Sequence, residues 1–291
     1  MSAIVFRRRQ SRIGIRNQAA RDAIKDLTYE LIPIGSLSSQ VEHLPSNARV
    51  SVTASPAQTL DATLDICAEL LDLGHRPIPH LAARMVDDTA HTAAIAARCR
   101  RLGLSEIFCI AGDAEVPGAH ADAMSFLREF LDIAAGDVTA VGVGSYPDGH
   151  AFIPAAALHD ALMEKQDLFL QAGVAGHTAT QMCFSADTIR QWLEAERTEG
   201  FAMPVHLGVP GVVDRTRLLR MGMRLGVGAS LRYLKKNRNG MIKLFASTGY
   251  NPSSLIDPLA ADFERLGITG IHSFTFNQVE ATRRWQQSVL A

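Results

Sequence analysis

Along this 291-residue chain, short runs rich in β-branched and apolar residues alternate with longer segments of helical period. The strand-like runs are 27–33, 49–54, 77–82, 106–112, 138–146, 177–184, 203–209 and 270–277. Between them, 59–73, 91–102, 124–134, 158–170, 187–196 and 214–225 place apolar residues at i, i+3 and i+4, as a helix with one buried face requires. Several open behind a Ser, Thr or Asp that can accept the free N–H groups of a first turn. Strand–helix alternation implies parallel strands joined by right-handed crossovers. Eight such units favour closure over an open doubly wound sheet, because closure removes both exposed edges. The expected fold is α/β, a (β/α)8 TIM barrel over residues 27–291, preceded by an N-terminal arm or helix over 1–26. Residues 228–267 exceed what one βα unit needs and carry the basic run Lys235-Lys236-Asn237-Arg238-Asn239-Gly240. They are expected to form a helical insertion before the eighth strand.

Hydrophobic residues make up 47% of the chain and charged residues 20%, enough apolar material for a large core. No apolar run approaches the roughly 18 residues that span a bilayer, so a soluble protein is expected. Lys plus Arg (29) nearly cancel Asp plus Glu (30), which gives no reason to expect nucleic-acid or acidic-membrane partners. The cluster Arg7 to Arg9 has no apolar segment behind it and does not read as a secretory signal. Cys67, Cys99, Cys109 and Cys183 form no C-x-x-C pair and sit in apolar surroundings, which suits buried thiols in a reduced, cytoplasmic setting. His75 and His80 stand across two prolines at no recognisable ligand spacing, so no bound metal is expected.

In a barrel the chemistry sits at the C-terminal strand ends, so polar residues there carry the most information. Glu30 interrupts the apolar run Leu27 to Pro33; burial disfavours a charged carboxylate, making Glu30 a candidate general acid unless an Arg pairs with it. Thr53 and His80 close their runs, and Asp113 follows Gly112, whose lack of a side chain lets the backbone approach closely. A carboxylate so placed can accept paired hydrogen bonds from an N–H and amino edge such as a pterin presents. Tyr146-Pro147-Asp148-Gly149-His150 forms a strand end and turn, Thr180-Gln181 puts an amide near another strand end, and Asn277 closes the last run. Gly142-Val143-Gly144 and Gly226-Val227-Gly228 lack the third glycine of a dinucleotide fingerprint. A nucleophile elbow and a P-loop are also absent from the sequence.

In order, Tyr29-Glu30, Val52-Thr53, Pro79-His80-Leu81, Gly112-Asp113, Tyr146-Pro147-x-x-His150, Thr180-Gln181 with Phe184, and Phe276-Asn277 resemble the motifs of the methylenetetrahydrofolate reductase catalytic barrel. The resemblance implies an oxidoreductase that interconverts 5,10-methylenetetrahydrofolate and 5-methyltetrahydrofolate. NADH or NADPH would supply the hydride, and FAD across the barrel mouth would carry it. It further implies Glu30 as the acid that opens the folate ring. Asp113, Gln181 and Asn277 would lie on the substrate side with Glu30. Thr53, His80, Asp113, Tyr146, His150 and Lys165 would lie on the cofactor side. Where the family carries a basic cluster for the flavin phosphates, this chain keeps Lys165 alone; Arg232, Lys235, Lys236 and Arg238 could supply replacement charge. Two alternatives are a flavin-independent, nicotinamide-dependent folate reductase and a non-redox folate-binding transferase.

Overall fold

The structure, a computed structural model, describes residues 15, 17–33, 37–55, 57–214, 216–218, 220 and 249–291. The elements run α1 (Gln18–Lys25), β1 (Thr28–Leu31), α2 (Leu37–Val41), β2 (Arg49–Val52), α3 (Leu60–Asp72), β3 (Arg76–Ala82), α4 (Thr89–Leu102) and β4 (Glu106–Ile110). Then follow α5 (Ala123–Ile133), β5 (Ala140–Ser145), α6 (Ala155–Ala172), β6 (Ala175–Thr180), α7 (Ala186–Thr198) and β7 (Val205–Pro210). The chain ends in α8 (Ser253–Leu259), α9 (Phe263–Leu266), β8 (Ile268–Phe274) and α10 (Val279–Leu290). The eight strands pair in parallel in sequence order, and β8 returns to β1, closing a (β/α)8 barrel.

Local chemistry starts and stops the helices as the sequence suggests. Thr59, Asp88, Asp122 and Ser185 each accept a hydrogen bond from an N–H in the first turn of α3, α4, α5 and α7. In α1, Arg21 donates to the carbonyls of Val289 and Leu290 at the end of α10, pinning the first helix to the last.

Residue alternation sorts each strand into two faces. On β1, Tyr29 points outward and donates to Gln286 Oε1 of α10 at 2.6 Å. Glu30, its neighbour, points into the barrel. The shell between barrel and helices is a continuous apolar core that includes Leu31, Val52, Leu81, Ile107, Val141, Leu207 and Ile271. The lumen holds a separate small apolar cluster of Ile78, Phe108 and Ala179. Much of the remaining lumen is polar, unlike the branched aliphatic layers that usually fill such barrels.

The expected strand ends move most at the sixth and eighth strands. The sheet releases the sixth strand at Thr180, so Gln181 to Phe184 lie beyond it, and the eighth ends at Phe274. After Phe274 the backbone turns at Phe276 and Asn277, which have φ of +50° and +54° and cannot continue a strand. Of the helix expected over 214–225, residues 216–218 and 220 are helical. The basic residues Arg232, Lys235, Lys236 and Arg238 lie outside the described residues.

Candidate active site at the barrel mouth

Glu30 is fixed by the last strand and the turn behind it. His272 Nε2 lies 2.9 Å from Glu30 Oε2. Thr275 Oγ1 donates to the Glu30 carbonyl. One step further, Asn277 brackets Ile32, its Oδ1 accepting from the Ile32 N–H and its Nδ2 donating to the Ile32 carbonyl, both at 2.9 Å. The strained pair Phe276 and Asn277 is what aims that amide. Such conformations persist only where surrounding contacts over-determine them. Glu30 thus pairs with a histidine, not with the Arg that sequence reasoning weighed.

Beside Glu30, His80 Nε2 is 2.6 Å from Ser51 Oγ, and the His80 ring stacks on Phe108 at 4.6 Å between centroids. Burial pushes the His80 pKa down to about 4, against the opposing pull of Glu30, so the ring is neutral near pH 7. Donor atoms of Glu30, His80 and His272 come within 4.8 Å of one another, contributed by β1, β3 and β8. Sequence spacing could not reveal this grouping. In the structure these donors are engaged in hydrogen bonds, His272 with Glu30 and His80 with Ser51.

A second polar layer lies deeper. Arg49 on β2 reaches across the lumen to Glu106 on β4 at 2.7 Å and donates to Thr28 at 3.2 Å. His177 and His206 stack with centroids 4.2 Å apart. Burial first, and then the Arg49 charge, push His177 down to about 3; burial and its histidine neighbour hold His206 well below the ordinary range. The 3.8 Å approach of His177 to Glu106 is therefore a contact of a neutral ring, not an ion pair. Glycines make room for these rings. A Cβ on Gly142 would sit 2.4 Å from Phe108 and 2.6 Å from His177, and one on Gly270 would sit 2.6 Å from the His206 ring.

The remaining residues singled out by sequence fall into separate groups. Asp113 is exposed after Gly112, whose φ is +87°. Burial first, and then the Asp113 charge, raise the Tyr146 pKa, which puts these two together at the mouth. The Tyr146 ring meets His150 edge-on at 5.2 Å, and His150 meets Phe152 at 5.9 Å. Thr53 donates its N–H to the Leu31 carbonyl at 3.0 Å, just past Glu30. Gln181 is anchored through its N–H to Ser145, and its Oε1 accepts from Met182 N at 2.7 Å. Lys165 is elsewhere. Its Nζ donates to Ala161 within α6, and it lies among Cys109 and Asp122 in the outer shell.

These positions bear on a flavin differently at its two ends. Tyr146, His150 and Asp113 form an open aromatic and polar rim suited to a planar ring. Neither Lys165 nor Arg84 suits the diphosphate: Lys165 faces the shell, and Arg84 is spent on the carbonyls of Ala114, Glu115 and Ala121.

Sequence reasoning missed His272, Ser51, Phe108 and the deeper layer of Arg49, Glu106, His177 and His206. The available signal was alternation: once Glu30 is inward, the inward positions of each paired strand follow by steps of two.

A family model described as methylenetetrahydrofolate reductase matches residues 34–227. Among solved structures, the oxygenating constituent of 3,6-diketocamphane monooxygenase from Pseudomonas putida, in complex with FMN, is similar with a TM-score of 0.53 at 12% identity, over 91% of this chain and 96% of that one. A deoxyribose phosphate aldolase from Aeropyrum pernix gives a TM-score of 0.38 at 14% identity, over 65% of this chain and 69% of that one. At 12% identity the likeness to the monooxygenase constituent is one of fold.

Proposed function

The chain belongs to the methylenetetrahydrofolate reductase family, and on that premise we propose that it reduces 5,10-methylenetetrahydrofolate to 5-methyltetrahydrofolate with a hydride that originates on NADH or NADPH. The observation that carries this reading is Glu30, a carboxyl inside the barrel mouth, held at its side chain by His272 and at its backbone by Thr275. A proton from Glu30 to the folate N10 breaks the bond between that nitrogen and the methylene carbon. The cation left on the other nitrogen then accepts hydride at the same carbon. Asp113 supplies a carboxylate for the N–H and amino edge of the pterin, and Gln181 an amide nearby. Asn277 acts through Ile32, keeping the strand end that presents Glu30 in place.

FAD, bound along Tyr146, His150 and Thr53, would supply two-electron transfer from nicotinamide to folate. A second reading, direct transfer from nicotinamide, is favoured by the engagement of Lys165 and Arg84 away from any diphosphate. Spectra separate the two. Protein that takes up FAD and is bleached by NAD(P)H, then recoloured by methylenetetrahydrofolate, supports the flavin route. Protein that oxidises NAD(P)H with folate while ignoring FAD supports the direct one. Folate binding with no NAD(P)H oxidation would replace both with a non-redox site.

A further inference from the structure

The geometry points to His272 as the positioning residue of Glu30, holding its carboxyl in the barrel mouth and sharing with it the proton that each turnover consumes. This rests on the reductase reading. His272 is 3% exposed, and its ring lies between Phe108 and Phe274, with centroids at 5.7 and 5.4 Å, so the imidazole has little freedom to swing away from the carboxyl. Its Nε2 meets Glu30 Oε2 at 2.9 Å, while the backbone of β1 is clamped by the same strand's continuation, Thr275 and Asn277. A single element thus sets both where the acid sits and what its carboxyl faces.

The other groups around His272 are committed. On β3, His80 is bound to Ser51 and neutral; on β6 and β7, His177 and His206 are neutral and stacked on each other. Arg49 on β2 is paired with Glu106 on β4. Among the described groups around His272, this leaves Glu30 as the one its Nε2 meets. In ring opening the Glu30 O–H bond breaks and an N10–H bond forms, while the C–N10 electron pair goes to N10. Hydride from the reduced nicotinamide, direct or carried, completes the methyl group. The Glu30 carboxylate, the more exposed of the two partners, is then reloaded from solvent, so one proton and one hydride are consumed per product.

The test uses His272→Ala and His272→Gln in the full chain. In His272→Ala, kcat with methylenetetrahydrofolate is expected to fall about 10-fold or more, while KM for NAD(P)H stays within about 2-fold. His272→Gln keeps an N–H donor near the place of Nε2 but cannot carry a proton. It should recover part of kcat and displace the alkaline limb of the pH profile, where an acid that must donate a proton ceases to act. Unchanged kcat and pH profile in both variants would overturn the proposal. So would a fall in NAD(P)H oxidation by an artificial acceptor equal to the fall in folate turnover, since that marks structural damage. If the wild-type protein reduces no folate, the reductase reading fails by itself, and the pair is judged by ring ¹⁵N resonances of His272. Their titration must shift in Glu30→Gln; an unmoved titration rejects the pair.

Discussion

In the proposed reaction Glu30 is the acid, and its contacts hold it in place on two sides. One carboxyl oxygen faces His272, the backbone carbonyl is taken by Thr275, and Tyr29 beside it anchors the strand outward to Gln286. Replacing Glu30 by Gln preserves shape and hydrogen bonding but removes the transferable proton. Folate turnover should fall by about 10²–10⁴-fold, the usual contribution of a positioned acid, while NAD(P)H oxidation by an artificial acceptor continues. Steady-state assays of both reactions check this; equal loss of both would place Glu30 in folding instead. His80 differs from Glu30 in kind. It is buried, neutral and bound to Ser51, and its face is covered by Phe108. These contacts make it a wall of the site that sets the polarity around the acid.

At the scale of elements, the barrel works because glycines on inner strand faces give way to rings. Gly142 on β5 faces Phe108 and His177, and an added Cβ would lie within 2.4 and 2.6 Å of them. Gly142→Ala should therefore destabilise the fold by about 1–3 kcal/mol, the usual range for overpacking, and displace Phe108 from His80. Thermal or denaturant melts measure the first effect; wild-type stability would show that the lumen can repack. The turn after β8 makes a second element-level prediction. Asn277→Ala removes both bonds to Ile32 and leaves a positive φ on a residue that disfavours it. Lower stability together with a lower folate kcat is expected, read by a melt and by turnover; a loss confined to KM would place Asn277 on the ligand instead.

The strands were legible because alternation and β-branched runs are local, and so were the helices with their Ser, Thr and Asp caps. Glu30 stood out because a lone carboxylate interrupts an apolar strand. Its partner did not. His272 lies 242 residues away, and only the closure of β8 onto β1 makes them neighbours. The Arg49–Glu106 pair spans β2 and β4, 57 residues apart, and the His177–His206 stack depends on the register between the consecutive strands β6 and β7. Lys165 shows the converse: a basic residue at a suggestive place in the sequence is turned by helical phase onto the outer shell of the barrel.

The whole molecule carries a pH dependence built into its lumen. His80, His177 and His206 are all held below the ordinary histidine range by burial. Unfolded, each would titrate near about 6.5. Below that pH the unfolded chain takes up protons that the folded one refuses, so stability present above about pH 6.5 is lost as pH falls toward the folded values. Each group contributes a slope of up to about 1.4 kcal/mol per pH unit in that window. Asp148 and Asp257, raised by burial, act in the opposite sense above about pH 3.8, and His159, raised by its hydrogen bond to Glu196, opposes the trend above about pH 6.5. Melting temperatures measured from pH 7 to pH 5 should fall steadily; a flat or rising profile would contradict the neutral histidine layers.

Product labelling shows whether this barrel moves a hydride onto a folate one-carbon unit with Glu30 as acid. Wild-type protein is incubated with 5,10-methylenetetrahydrofolate and NAD(P)H deuterated at the nicotinamide C4, with and without FAD, and the folates are analysed by mass spectrometry. 5-Methyltetrahydrofolate should form in step with NAD(P)H oxidation and be greatly diminished in Glu30→Gln. Deuterium should enter the methyl group where nicotinamide delivers hydride directly, and be diluted by solvent exchange where a flavin carries it. Folate recovered unreduced under both conditions, with NAD(P)H unconsumed, would contradict the reductase reading.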